Sequence, residues 1–221
     1  PDVVIKPYAL EVIERLTDKG QTVVVQMDPS HLNDTNEVLM LSVRVGNRAW
    51  PVSWDVKETQ GNRGFSFQKE RLDRVRGWLP ESVPVMLGAD RFYGTAARIK
   101  WCQEAGWGYR IRLKGNLTLT HEGGEITTGE VAKLIPGGLE GAWLYDSGVK
   151  TNLGILHEKG HKEPWMIARD TVPSRYTPLD YGLRWGIESM FSDFKSRGFG
   201  LMQSQIKLPE RMERLILVMS I

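Results

Sequence analysis

The sequence predicts a mixed α/β fold, on three observations. Three apolar runs rich in β-branched residues stand near the start, at residues 22–27, 37–45 and 48–56. Helix-period and strand-type segments then alternate between residues 65 and 113. Short strand-like runs broken by Gly123-Gly124 and Gly137-Gly138 fill residues 115–171, and helical signals resume after Pro178.

Taken in order, the first strand is predicted at 22–27, ending at Asp28, and Asp28-Pro29-Ser30 is compatible with a turn. Gly46-Asn47 predicts a hairpin between the second and third strands. Residues 65–79 carry Phe65, Leu72, Val75 and Leu79 at helical spacing and stop against Pro80. A buried-type strand at 83–89 again ends at an aspartate, Asp90, and a helix at 95–105 is stopped by Gly106. Residues 108–113 form a further strand. Helical spacing returns from Tyr181, with Asp180 placed to cap it and Gly198 to stop it, and again over 210–219. The resulting division is a connecting segment at 1–18, a core at 19–115 and 172–221, and a β-rich insertion at 116–171.

Composition narrows the function classes. The 221 residues are 41% hydrophobic and 25% charged, which excludes wholesale disorder. A single cysteine, Cys102, excludes a disulfide framework and a Cys-rich zinc module, and suits a reducing, cytoplasmic setting. No apolar run reaches the roughly 18–20 residues of a membrane span, so no membrane partner is expected. A net charge of +2 neither requires nor excludes nucleic acid. The chain opens at Pro1 and stops inside a helical pattern, so it reads as a piece of a longer protein. His157 and His161 are spaced i, i+4, but Glu158-Lys159-Gly160 between them reads as a turn and not as a metalloprotease helix.

Two strands that end in aspartate raise a common site, because ligand groups gather at strand ends in α/β sheets. Turn formation accounts for Asp28 and Asp90 equally well at this stage. On a regular helix, Tyr181, Arg184, Glu188 and Lys195 fall within about 60° of arc. They would form a stripe roughly 21 Å long beside an apolar face of Leu183, Ile187, Met190, Phe191 and Phe194. Such a stripe fits several backbone phosphates with one carboxylate among the donors. It also fits an ordinary solvated helix face. Arg110, Arg112 and Lys114 alternate and are expected on one strand face, either as a DNA track or as plain exposed surface.

Tyr181-(2)-Arg184-(3)-Glu188-(6)-Lys195, followed by Ser196-Arg197-Gly198-Phe199, resembles the signature of the insertion sequence 4 group of DDE transposases. Residues 23–28 and 85–94 resemble the strands that carry that class's two catalytic aspartates. One departure is Phe92, where many relatives have glycine; here the glycine is Gly94. The resemblance implies a ribonuclease-H-like core with a β-rich insertion between the second aspartate and the glutamate. It implies that Asp28, Asp90 and Glu188 ligate Mg²⁺, with Mn²⁺ as a substitute, for two-metal phosphodiester cleavage and strand transfer. Tyr181, Arg184 and Lys195, with Arg112 and Lys114, would contact DNA phosphates. Trp165 or Trp143 would stack on a flipped base. The implied partners are transposon-end and target duplexes and a second copy of the chain in a synaptic dimer, in a bacterial cytoplasm at the nucleoid. A non-catalytic transposase remnant that binds DNA, and a nuclease of the same fold, remain alternatives.

Overall fold

A computed structural model describes residues 1–18, 20–58, 64–145, 148–157, 163–174 and 176–221. The turn-like segment between His157 and His161 lies outside them. The described chain forms ten strands with helices, a mixed α/β fold, in two compact units. One unit comprises residues 1–84 and 183–221, the other residues 85–182.

In the first unit, β1 (Val23–His31), β2 (Glu37–Val45) and β3 (Arg48–Lys57) make an antiparallel meander in the order β3-β2-β1. The hairpin at Gly46-Asn47 is present, with Gly46 in the left-handed region that this turn favours. β1 differs from expectation: it runs past Asp28, which pairs with Met40, and reaches His31 opposite Glu37. The Asp-Pro-Ser turn does not form, because β2 supplies hydrogen-bonding partners along the whole run and Pro29 is tolerated within it. Residues 1–18 are not a bare connection but largely a helix, α1 (Asp2–Thr17), whose Ile5, Ala9 and Ile13 are buried at helical spacing. α2 (Phe65–Arg76) matches its expected position.

The core of this unit joins Val38, Met40, Trp54 and Val56 of the meander to helical residues. Those come from α1, from α5 (Gly186–Ser192) and from α6 (Pro209–Ser220): Ile5, Ile187, Met190, Phe191, Met212 and Ile216. α6 also finishes an edge of the sheet. Glu213 accepts from the Val56 backbone N–H through its carboxylate (3.1 Å) and from the Trp54 indole through its carbonyl (3.2 Å).

The second unit orders its strands β4-β5-β10-β9-β8-β6-β7. β4 (Val85–Ala89) and β5 (Gly108–Arg112) are parallel and joined by α3 (Ala96–Ala105), with Thr95 as N-cap and Gly106 (φ +70°) as stop. β6 (Thr118–His121), β7 (Gly124–Thr127), β8 (Gly138–Leu144), β9 (Val149–Leu156) and β10 (Trp165–Arg169) are the glycine-punctuated strands. β10 pairs with β5 and with β9, so these strands continue the β4–β5 sheet. A second helix absent from the sequence reading, besides α1, is α4 (Thr128–Leu134), held by a capping box between Thr127 and Glu130.

The signature segment departs most. It is a 3₁₀ helix over Thr177–Trp185, then α5, then a π-type turn over Asp193–Arg197. The tightening and widening on either side of α5 disrupt a uniform 100° wheel, so the sequence stripe is not one continuous helix face.

Candidate active site

In the first unit, β1 and the signature segment bring charged side chains together. Asp28 is 9% exposed on the middle of β1, and Arg184 is 6% exposed just before α5. The Arg184 guanidinium pairs with Asp28 Oδ2 through Nη1 at 3.2 Å, and with Glu188 Oε1 through Nη2. One buried arginine thus holds two of the three carboxylates singled out in the sequence. Glu188 keeps a side chain that is 54% exposed, so one face of the pair meets solvent. Lys195 lies half-buried in the π-type turn, its ammonium 5.8 Å from the Phe191 ring centroid. Burial lowers the Lys195 pKa below the ordinary lysine value, partly countered by the charge of Asp28.

The backbone beneath this cluster is fixed by a buried amide. Gln26 sits two residues before Asp28, hence on the same face of β1. Its Nε2 donates to the carbonyls of Leu183 (2.7 Å) and Arg184 (3.1 Å), and its Oε1 accepts from Ser42 Oγ (3.0 Å). Behind the segment, Gly186 lies against β3: a Cβ there would meet the Arg48 carbonyl carbon at 3.0 Å and the Ala49 nitrogen at 3.2 Å. Gln26, Ser42 and Gly186 were not singled out from sequence. A polar residue inside a strand of valines, in phase with Asp28, was the available signal.

In the second unit, Asp90 follows β4, half-buried, and its carboxylate caps a short 3₁₀ turn over Arg91–Tyr93 by accepting the Arg91 backbone N–H. The turn ends at Gly94, where a Cβ would sit 2.4 Å from the Arg112 carbonyl oxygen. Glycine is therefore required at Gly94, and Phe92 needs none. Arg98 is buried on α3 with its guanidinium 5.0 Å from the Tyr93 ring, which ties the turn to the following helix. Burial brings its pKa down to about 10.

Arg110, Arg112 and Lys114 do not act as one exposed row. Arg110 is buried and paired with Asp170 and with Asp180 Oδ2 (2.5 Å); Asp180 also receives Arg169 Nη2 at 3.1 Å. Asp180 is thus an ion-pair partner where a helix cap was expected. Burial, then the neighbouring Arg110, lowers the Arg169 pKa. Half-buried Arg112 and exposed Lys114 instead line a cavity of about 320 Å³ with Arg91, Asn116 and Glu163. Glu163 pairs with Arg91 at 3.5 Å.

Tyr181 and Trp165 do not present open surfaces. They are 3% and 4% exposed and pack edge-to-face, ring centroids 5.6 Å apart. Stacking a base on Trp165 would require that packing to open. Trp143 is 44% exposed, with the Lys150 ammonium 5.9 Å above its ring.

Among the described residues, no group of three or more His, Cys, Asp or Glu side chains is gathered for a metal ion. No helix of the described residues is long and apolar enough to cross a membrane.

No curated protein matches this chain. A crystal structure of human ENDOV is similar at 14% identity, over 98% of this chain and 92% of that one, with a TM-score of 0.33. The family model described as "Transposase DDE domain" matches residues 57–221, three-quarters of the length and the part that carries Asp90, Arg184, Glu188 and Lys195. The chain belongs to the transposase DDE domain family.

Proposed function

We propose that this chain is the catalytic domain of an insertion-sequence-4-type DNA transposase, which cuts phosphodiesters at transposon ends and joins the freed 3′-hydroxyl to target DNA. The observation that carries this reading is the convergence of Asp28 and Glu188 on Arg184, in a chain of the transposase DDE domain family. In this reading Asp90 supplies the third carboxylate, on a ribonuclease-H-like core with residues 116–171 inserted.

Asp28, Asp90 and Glu188 supply the donor type that suits the divalent cation the family implies. Carboxylate oxygens are hard ligands of the kind Mg²⁺ and Mn²⁺ prefer, and two of them already share one positive charge. When bound, the cations would activate water or a 3′-hydroxyl and stabilise the leaving oxygen. Asp28 and Glu188 would hold that charge, and the Gln26 amide fixes the backbone on which Arg184 is carried. Arg184 can clamp a phosphate with its planar fork, and Lys195 adds a point charge beside it. Arg112 and Lys114 would take a neighbouring phosphate in their cavity, a contact that positions DNA without reading sequence. Tyr181 would act as a support for the segment, and Trp143 is the better exposed platform for an unstacked base.

Incubation of the protein with supercoiled plasmid and with labelled transposon-end duplexes tests the reading. It predicts Mg²⁺-dependent nicks and joined products, both reduced more than about 100-fold by Glu188→Gln, since even residues that only support metal ligands are worth 10–100-fold. Nicks without joined products would favour a nuclease. DNA binding with neither product would favour a non-catalytic remnant, a reading supported by the occupation of two carboxylates by Arg184.

A further inference from the structure

We infer that Phe92 is the contact for an unstacked DNA base beside Asp90, with the adjoining phosphate held by Arg112 and Lys114. This rests on the transposase reading and adds to it a residue and a ligand group that the signature segment does not supply.

The second unit carries the whole contact within itself. Phe92 is 50% exposed and stands two residues after Asp90, in the short 3₁₀ turn. Its neighbours in that turn fix the backbone. The Tyr93 N–H donates to the Asp90 carbonyl at 2.9 Å, and the Tyr93 ring is buried with the Arg98 guanidinium 5.0 Å away. Gly94 lies against the main chain of Arg112. With Tyr93 turned inward, Phe92 is turned outward on a turn anchored at both ends. A ring presented in this way offers stacking surface without the ordering cost of a mobile loop.

Charge is arranged around the ring. The Lys114 ammonium lies 5.6 Å from the Phe92 ring centroid. Lys114 also lines the cavity of about 320 Å³, together with Arg91, Arg112 and Asn116. Three cationic side chains there stand against one carboxylate, Glu163, which pairs with Arg91. The surplus is positive and suits a phosphate. A positive cavity next to an exposed aromatic face matches the two ends of a nucleotide in a strand, the phosphate and the planar base.

The tryptophans singled out in the sequence do not meet both conditions. Trp165 is buried against Tyr181. Trp143 lies on β8, four strand spacings from β4, or about 19 Å across the sheet. The strand pairings also set it level with Gly108, at the opposite end of β5 from Arg112. The phenylalanine that replaces the glycine of many relatives thereby gains a role.

Binding of labelled DNA to the full chain, followed by fluorescence anisotropy without divalent cation, tests this without reference to activity. Two single strands of equal length serve as probes. One carries thymine at every position, and the other has the same phosphates on abasic sugars. Phe92→Ala should weaken binding of the thymine strand by about 5–150-fold, the worth of one stacked base, and leave the abasic strand unchanged. Phe92→Tyr keeps the ring and should bind as wild type does. Phe92→Leu keeps apolar volume without the ring and should behave as alanine does. Arg112→Gln should weaken both strands alike and reduce the salt slope by about 0.7, the contribution of one phosphate. An equal loss on both strands in Phe92→Ala would mean that the ring only seats Lys114, and no loss on either would mean that it touches no base. Either result overturns the inference and leaves the transposase reading standing. Wild type that binds neither strand would overturn both.

Discussion

At the residue scale, the strongest sequence signals were the charged ones. Asp28, Arg184 and Glu188 were legible from spacing and resemblance, and the structure brings those three together. What holds them was harder to read, because an amide in a strand has no spacing rule. Gln26 is fully buried and makes three hydrogen bonds, to Ser42 and to two carbonyls of the signature segment. Gln26→Leu would keep the volume and strand propensity but leave those partners unsatisfied. At roughly 1–3 kcal/mol for each buried group left unpaired, partly relieved by relaxation, we expect a loss of about 2–4 kcal/mol in urea denaturation. Nicking should fall as well, since the Arg184 backbone loses its anchor.

At the element scale, strands and ordinary helices were well anticipated: β2, β3, α3 and α6 lie close to their predicted spans. The errors share a cause, which is that tertiary pairing overrides local punctuation. Pro29 looked like a strand end, yet β2 offers partners as far as His31. Glycine pairs mark the ends of the short strands in the sequence, but the pairing of β10 with β5 is set by tertiary contact. The signature segment has an amphipathic pattern that a single helix would satisfy. Its burial of Tyr181 on Trp165 and its pinning by Gln26 instead produce three helical geometries in succession. Gly186 is the point where α5 meets the β3 backbone. Alanine there gains up to about 1 kcal/mol of helix propensity, but its Cβ would press on main-chain atoms that cannot turn aside. We therefore expect Gly186→Ala to lower stability by about 1 kcal/mol net, read as a lower midpoint in urea denaturation.

At the scale of the whole molecule, composition alone gave little: a net charge of +2 hides how the positive groups are distributed. Arg110 and Arg169 are consumed by Asp170 and Asp180, whereas Arg112 and Lys114 line a cavity with Arg91. That division follows from which strand residues face acidic partners from distant sequence, and no local pattern encodes it. We propose that Asp28, Asp90 and Glu188 each contribute to one metal-dependent reaction on DNA. Its most direct test is the amount of Mn²⁺ bound in the presence of a short duplex by wild type, Asp28→Ala, Asp90→Ala and Glu188→Ala, all confirmed as folded by thermal melting. Each single substitution should sharply reduce the bound Mn²⁺. Binding equal to wild type in all three variants, or a loss confined to Asp28→Ala and Glu188→Ala with Asp90→Ala unchanged, would contradict it.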